Sequence, residues 1–262
     1  MSNLIKVENS ESGVIKITLN RPEIHNAFND ELIQEMTEIF SNIEKDSSIR
    51  LVVLSGEGRS FCAGADLNWM KSMVNYTESE NIKDSVKLSK MFQVINNCSR
   101  PVIGKINGHA LGGGIGLVAC CDYVITHEKA SFGFTETRLG LVPAVISPFC
   151  IAKIGESNAR AWFLSGERFD AKKAYDLGLV HEVSSVENFE IRVDEIIESH
   201  LLAGPVASVE AKKLIKGVLE LASDKIEQYT CQAIAQRRVS VEGQEGMNAL
   251  LEKRKAKWMK ND

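Results

Sequence analysis

Two turns of small residues are the parts of the chain best suited to chemistry. The first is Ser60-Phe61-Cys62-Ala63-Gly64-Ala65-Asp66-Leu67, and the second is Gly108-His109-Ala110-Leu111-Gly112-Gly113-Gly114. Each turn leaves a predicted buried strand, so both can direct bare backbone N–H groups at one spot. Such a pair of donors stabilises the enolate of a thioester without any side chain. The pairing therefore predicts an enzyme that acts on acyl thioesters.

The donors within these turns are the amides of Gly113 and Ala65. Gly113 lies near the start of a predicted helix over Ile115–Cys121, where the helix dipole adds positive potential. Because it lacks a Cβ, Gly113 also lets an acyl group lie close to the backbone. Tight packing of a strand against a helix is the alternative explanation of either turn alone.

Nucleotide binding fits the glycines poorly. Gly112, Gly114 and Gly116 are followed by Leu117 where a dinucleotide fingerprint needs its next glycine. A Walker A loop built on Gly108 and Gly113 would need lysine where the chain has Gly114. The sequence therefore does not predict binding of NAD or a nucleoside triphosphate.

Glu136 is the carboxylate placed nearest to such chemistry. It follows the strand-like run Ser131–Phe134 and precedes the turn Leu139-Gly140-Leu141. From the residues alone, the alternative to a catalytic role for Glu136 is a structural one, as a helix cap or in a salt bridge to Arg138.

The elements that must position these residues alternate between strands and helices up to residue 130, which predicts right-handed crossovers. A hairpin begins the chain, and Asn29 or Asp30 is the predicted cap of an amphipathic helix that runs through Glu44. The other predicted elements before residue 130 are the strands Leu51–Leu54, Val102–Ile106 and Tyr123–Thr126 and the helices 78–98 and Ile115–Cys121.

The character of the chain changes after Leu164, where helices predominate. The predicted helices there are Ala171–Asp176, Val186–Leu202, Val206–Ser223 and Gln244–Met259. Gly204-Pro205 separates two of these helical patterns. We therefore predict an α/β core over residues 1–203 and a helical oligomerisation region over 204–262.

Composition excludes several classes of protein. A net charge of −4 in 262 residues gives no reason to expect nucleic acid as a partner. No run approaches the roughly 18 apolar residues that span a bilayer, and the N-terminus lacks the pattern of a signal peptide. The six cysteines show no C-x-x-C spacing, which favours free thiols in a reducing cytoplasm, and no histidine cluster predicts a metal site.

Three blocks resemble the signature blocks of the crotonase superfamily, also called the enoyl-CoA hydratase/isomerase family. They are Phe61–Leu67, Asn107–Gly114 and Phe132–Pro143, and Asn20-Arg21-Pro22, Asn26-Ala27 and Glu252–Lys255 also fit the pattern. The likeness extends from about residue 5 to 258. It implies a spiral of ββα units whose C-terminal helices build a homotrimer, often a dimer of trimers.

The resemblance also implies roles for individual residues. The amides of Ala65 and Gly113 would form the oxyanion hole, and Glu136 would handle the Cα proton in an apolar pocket formed by Phe132, Phe134 and Leu141. Coenzyme A would be part of the substrate, with no separate cofactor. The residues expected to contact the substrate or its CoA are Ile24, Ala27, Ala63, Ala65, Asp66, Leu67, Asn68, Leu111, Gly112 and Lys253, the last in a neighbouring subunit.

Gly116 is the main departure from the family pattern, because a typical hydratase carries a second glutamate there. Adding water to a double bond suits two carboxylates, whereas moving a double bond needs one base. Gly116 therefore favours an isomerase. In contrast, Asp66–Lys71 and Leu139–Pro148 most resemble bacterial methylglutaconyl-CoA hydratases. We expect a 2-enoyl-CoA hydratase, with a Δ3-Δ2-enoyl-CoA isomerase and a non-catalytic acyl-CoA-binding protein as alternatives.

Overall fold

The computed structural model describes residues 4–259 and contains two β-sheets. The strands are β1 (Ile5–Asn9), β2 (Val14–Leu19), β3 (Leu51–Gly56), β4 (Ser60–Cys62), β5 (Val102–Ile106), β6 (His109–Leu111), β7 (Tyr123–His127), β8 (Ser131–Gly133), β9 (Arg168–Asp170) and β10 (Glu182–Ser184). The larger sheet has the order β1-β2-β3-β5-β7-β10 and the smaller one β4-β6-β8-β9. Only the β1–β2 and β8–β9 pairs are antiparallel.

The helices cover the sheets and form the C-terminal region. They are α1 (Asp30–Ile43), α2 (Leu67–Met73), α3 (Glu78–Asn96), α4 (Gly113–Cys120), α5 (Ser147–Ser165), α6 (Ala171–Asp176), α7 (Phe189–Leu201), α8 (Pro205–Glu220), α9 (Ser223–Val239) and α10 (Val241–Leu251). None of the helices within residues 4–259 is long and apolar enough to cross a membrane.

A repeating unit of two strands and a helix builds the core. Strands β3, β5 and β7 are each followed at once by a strand of the smaller sheet and then by a helix or a 3-10 turn. Each unit therefore adds a neighbouring parallel strand to both sheets. The α/β spiral expected from the sequence is confirmed, and it places the turns after β4, β6 and β8 side by side.

Local sequence explains how the first helix and the buried helix form. The Asn29 side chain accepts a hydrogen bond from the Leu32 N–H at 3.0 Å and caps α1, whose apolar face is buried. Helix α4 has buried residues from Gly114 to Cys120, which fits its nearly uniform apolar sequence.

The C-terminal region differs from the prediction in detail. Helix α9 was not predicted, and α10 begins at Val241 and ends at Leu251 rather than running from Gln244 to Met259. Gly204 precedes α8 and Pro205 is its first residue, as the punctuation of the sequence suggests. The division at 203/204 remains a prediction, and its outer ends, 1–3 and 260–262, lie outside the described residues.

Candidate active site

The three sequence blocks meet at one edge of the smaller sheet. Strands β4, β6 and β8 are parallel neighbours, so the turns that follow them leave the sheet on the same side. The Gly112 N–H donates to the Gly133 carbonyl at 2.9 Å and continues the β6–β8 pairing into the turns. The second glycine turn and the segment that carries Glu136 are therefore adjacent.

The two glycine turns also touch each other. A Cβ placed on Gly64 would lie 2.9 Å from the Leu111 carbonyl oxygen and 3.4 Å from the Gly113 amide nitrogen. Gly64 and Gly112 have φ values of 91° and 52°, which side chains rarely tolerate. Only a backbone without Cβ atoms lets the turns approach in this way.

A short bridge to Phe28 turns the Ala65 amide toward the site. The Phe28 N–H donates to the Gly64 carbonyl at 2.8 Å, and the Asp66 N–H donates to the Phe28 carbonyl at 2.9 Å. Because successive N–H groups alternate along an extended strand, the Ala65 N–H points away from Phe28. No residue between 4 and 259 accepts a hydrogen bond from it.

Gly113 supplies a second unpaired donor. It is the first residue of α4, and its N–H has no acceptor among the described residues. A Cβ on Gly113 would overlap the Phe28 ring, at 2.9 Å from Cε1 and closer still to Cζ. The absence of a side chain at this position is therefore a packing requirement, and two unpaired amides lie on adjoining turns.

Glu136 lies beside these amides in the 3-10 turn Thr135–Leu139. A Cβ on Gly112 would be 3.5 Å from Glu136 Oε1, so the carboxylate faces the second turn. Its Oε2 atom is buried without a hydrogen-bond partner. Burial raises the pKa of Glu136 and outweighs a hydrogen bond from its own backbone amide, which lowers it.

The surroundings of Glu136 exclude one of the explanations left open by the sequence, the salt bridge to Arg138. Arg138 Nε donates to the Ser165 carbonyl at 3.3 Å, and no ion pair within residues 4–259 joins Arg138 to Glu136. Helix α5 packs against the turn that carries Glu136. Burial, with a further contribution from the Glu136 charge, raises the pKa of the Cys150 thiol on that helix. Leu141, expected in the pocket, is 54% exposed, because it lies beyond the turn whose Glu136 carbonyl accepts its N–H.

The position of the missing second acid is closed by apolar side chains. A Cβ on Gly116 would lie 2.8 Å from Phe92 Cε1 and closer still to Ile146 Cγ2. Phe92 and Ile146 are both buried. A carboxylate side chain therefore cannot occupy position 116 unless these neighbours move.

The residues expected to contact substrate or CoA are only partly gathered. Ala63, Ala65, Leu111 and Gly112 lie along the two turns, and Ala27 precedes Phe28, which is bridged to the first turn. Leu67 and Asn68 are exposed at the start of α2. Ile24 ends the 3-10 turn that precedes Ala27. Lys253 lies beyond α10, is exposed, and makes no side-chain hydrogen bond or ion pair with the site within the described chain.

Two polar residues that stabilise the site had no assigned role in the sequence. Arg21 Nη2 donates to Asp66 Oδ2 at 2.8 Å in a largely buried ion pair. Asn26 is fully buried and hydrogen-bonds to the segment that begins β4. Their presence in the Asn-Arg-Pro and Asn-Ala blocks was the available signal. No cluster of His, Cys, Asp and Glu within the described residues could hold a metal.

Comparisons with known proteins agree with this geometry. The Enoyl-CoA hydratase/isomerase family model matches residues 9–261. The Short-chain-enoyl-CoA hydratase of Clostridium acetobutylicum is 30% identical, with 96% of each chain covered. Pseudomonas aeruginosa AtuE is 30% identical with a TM-score of 0.95, covering 98% of this chain and all of the other. An enoyl-CoA hydratase/isomerase from Marinobacter aquaeolei is 34% identical with a TM-score of 0.92, covering 98% of this chain and 99% of the other.

Proposed function

The chain belongs to the enoyl-CoA hydratase/isomerase family, and we propose that it adds water to the double bond of a 2-enoyl-CoA thioester. One observation carries the proposal: the Glu136 carboxylate, whose Oε2 is buried without a partner, faces the second of two adjoining turns that each present an unpaired amide. Buried polar atoms without partners are rare in native proteins and need a reason. A thioester oxygen that accepts from the two amides and a water that donates to the carboxylate supply one.

The two amides act on the thioester oxygen. In this mechanism the N–H groups of Ala65 and Gly113 donate to the carbonyl of the substrate, and their bonds strengthen as negative charge develops there. The N-terminus of α4 adds positive potential at the same oxygen. Removing one such donor typically lowers kcat by about 100- to 1,000-fold.

Glu136 performs both proton transfers in the proposed hydration. Its carboxylate accepts a proton from water while the water oxygen bonds to Cβ, and the π electrons move onto the thioester oxygen. The resulting acid then returns that proton to Cα as the enolate collapses, so one water is added and the carboxylate is regenerated. Its raised pKa makes the carboxylate a stronger base than an exposed glutamate.

Isomerisation of a 3-enoyl-CoA is the second candidate. It is favoured by the closed position at Gly116, where Phe92 and Ile146 leave no room for the second carboxylate of a typical hydratase. In that reaction Glu136 would remove a proton from Cα and return it to Cγ. The name of the Clostridium acetobutylicum relative, a hydratase, supports the first candidate.

The proposed partners are an acyl-CoA and further copies of the chain, without a separate cofactor. Val239, Val241, Leu250 and Leu251 are strongly exposed on the C-terminal helices. Exposed apolar residues are consistent with contacts between copies. By the family resemblance we propose a homotrimer or a dimer of trimers, in which Lys253 of one subunit reaches the CoA phosphate of the next. We place the enzyme in the cytoplasm, and the likeness around Asp66–Lys71 and Leu139–Pro148 makes methylglutaconyl-CoA a specific substrate to test.

Incubation in deuterated water tests the proposal. Crotonyl-CoA, a 3-enoyl-CoA and methylglutaconyl-CoA are each incubated with the enzyme and with Glu136→Gln, and the products are analysed by mass spectrometry. Hydration adds one heavy water. Isomerisation adds none, and it is recognised by the conversion of the 3-enoyl-CoA to the conjugated 2-enoyl-CoA, which chromatography separates from the starting thioester. Binding of all three thioesters without any change would establish the non-catalytic alternative and refute the proposal.

A further inference from the structure

Arg21 joins the segment that carries Phe28 to the first glycine turn. Its Nη1 donates to the Ala27 carbonyl at 2.6 Å, and its Nη2 donates to Asp66 Oδ2 at 2.8 Å. Ala27 directly precedes Phe28, whose ring packs on Gly113, and Asp66 directly follows Ala65. One arm of the planar guanidinium is therefore bound next to Phe28, which packs on Gly113. The other arm is bound next to Ala65.

The backbone around Arg21 is held in a strained form that supports this arrangement. His25 and Asn26 have φ values of 56° and 55°, in a region that costs free energy for residues other than glycine. Asn26 offsets that cost, since its Oδ1 accepts from the Arg21 N–H at 2.9 Å and its Nδ2 donates to the Ser60 carbonyl at 2.7 Å. The segment 21–28 is thus fixed against β4, which leads into the first turn.

Asp66 extends the connection to the start of α2. While Oδ2 binds Arg21, Oδ1 accepts from the Asn68 N–H at 2.7 Å and caps the helix. Trp69 of that helix meets the Phe28 ring edge to face, with centroids 6.1 Å apart. Phe28, on which the position of Gly113 depends, is therefore held from both sides.

We propose that Arg21 is a positioning residue of the oxyanion site, and that its two-armed contact sets the spacing between the Ala65 and Gly113 amides. This inference rests on the proposed function, in which both amides bind the same thioester oxygen. A lysine carries the same charge but cannot reproduce the planar fork. Small displacements of a preorganised donor cost much of its effect on the transition state.

The polarisation of a bound thioester reports the spacing of the amides without turnover. Butyryl-CoA labelled with 13C at the carbonyl is bound to the wild type, Arg21→Gln, Arg21→Lys and Arg192→Gln, and the carbonyl stretch is recorded by infrared difference spectroscopy. Arg192 pairs with Glu182 and Glu195 at the far edge of the larger sheet, so Arg192→Gln is the matched control. Circular dichroism shows which variants are folded.

We expect the bound carbonyl to shift to lower frequency in the wild type and in Arg192→Gln, and to shift less in both Arg21 variants. With an enoyl-CoA substrate, kcat should fall by about tenfold or more in the Arg21 variants while KM changes little. Absence of any shift in the wild type would refute the proposed function itself. A full shift in a folded Arg21 variant would refute only the positioning role, and Arg21→Lys decides if Arg21→Gln does not fold.

The charge of Asp66 offers a competing explanation that a double variant removes. An unpaired carboxylate next to Ala65 would repel the enolate, so Arg21→Gln alone could act through charge. The double variant Arg21→Gln with Asp66→Asn has neither charge, and it still lacks the two-armed contact of the guanidinium. We expect the double variant to keep the weak carbonyl shift, and recovery of the wild-type shift would overturn the positioning role.

Discussion

Glu136→Gln should abolish turnover and at the same time stabilise the fold. Glu136 Oε2 is buried without a partner, so the ionised carboxylate is desolvated and receives little in return. Glutamine keeps the shape of the side chain but removes the charge. Because leaving a charged group unsatisfied costs more than leaving a neutral one, we expect a gain of about 1 kcal/mol in the free energy of unfolding.

The pH dependence of this gain follows from the direction of the pKa shift. Burial raises the pKa of Glu136, so the folded chain holds this proton to a higher pH than the unfolded chain does. The contribution of Glu136 to stability is therefore lost as pH rises from the ordinary glutamate pKa through the raised value. Glutamine has no proton to lose, so the advantage of Glu136→Gln should be absent below the ordinary glutamate pKa and should grow as the pH rises through the raised value.

Thermal unfolding at one fixed protein concentration measures this effect. A gain of 1 kcal/mol corresponds to a rise in Tm of about 2–4 °C for a chain near this length. Glu167→Gln is the control, because Glu167 is exposed and its side chain forms no ion pair within the described residues. A Glu136→Gln variant that is less stable at pH 8, or whose advantage does not shrink in acid, would contradict the buried, unsatisfied state of the carboxylate.

Three further outcomes are expected. Gly113→Ala should lower kcat by about 100-fold or more, because its methyl group overlaps the Phe28 ring and displaces an amide donor; steady-state kinetics with an enoyl-CoA checks this, and wild-type kcat would contradict it. The acid limb of the pH profile of kcat/KM should lie above the ordinary glutamate range, because the general base must be ionised and burial raises its pKa; a limb within that range would be evidence against Glu136 as the base. Gly116→Ala should destabilise the fold by about 1–3 kcal/mol, and Ile146→Ala should relieve part of that cost in the double variant, since the added methyl then meets only Phe92; additive changes in urea unfolding would show that the two positions do not pack together.

The elements with a clear apolar period were predicted well. Strand β5 spans Val102–Ile106 as expected, and α1 begins behind the expected Asn29 cap. Helix α9 escaped prediction because none of its residues is buried and its sequence carries no apolar stripe. Its packing against α8 and α10 is information that the helix's own sequence does not contain.

The site was predictable where it depends on backbone and not where it depends on distant side chains. Gly64, Gly112 and Gly113 indicate turns that only a backbone without Cβ atoms can form. The closure of position 116 depends on Phe92 and Ile146, which lie far from it in sequence on either side. No local pattern identifies those two residues as its neighbours, so the sequence revealed the missing acid but not what fills its place.

The two halves of the candidate site respond differently to sequence change, and this bears on which reaction the chain catalyses. The donors at Ala65 and Gly113 are main-chain groups, so the donor atoms themselves are present whichever side chain stands at these positions. The acid–base half depends on single side chains, and here Glu136 is one carboxylate while Phe92 and Ile146 fill the space that a side chain at position 116 would need. Hydration at such a site requires that Glu136 alone bind the water that attacks Cβ, because Phe92 and Ile146 offer it no hydrogen bond.

The proton that leaves the water must then be the one delivered to Cα, so both new bonds form on the same face of the alkene. Syn addition of one heavy water across a labelled enoyl-CoA is therefore the stereochemical outcome that a single carboxylate demands, and anti addition would require a second acid that the residues around Gly116 do not supply.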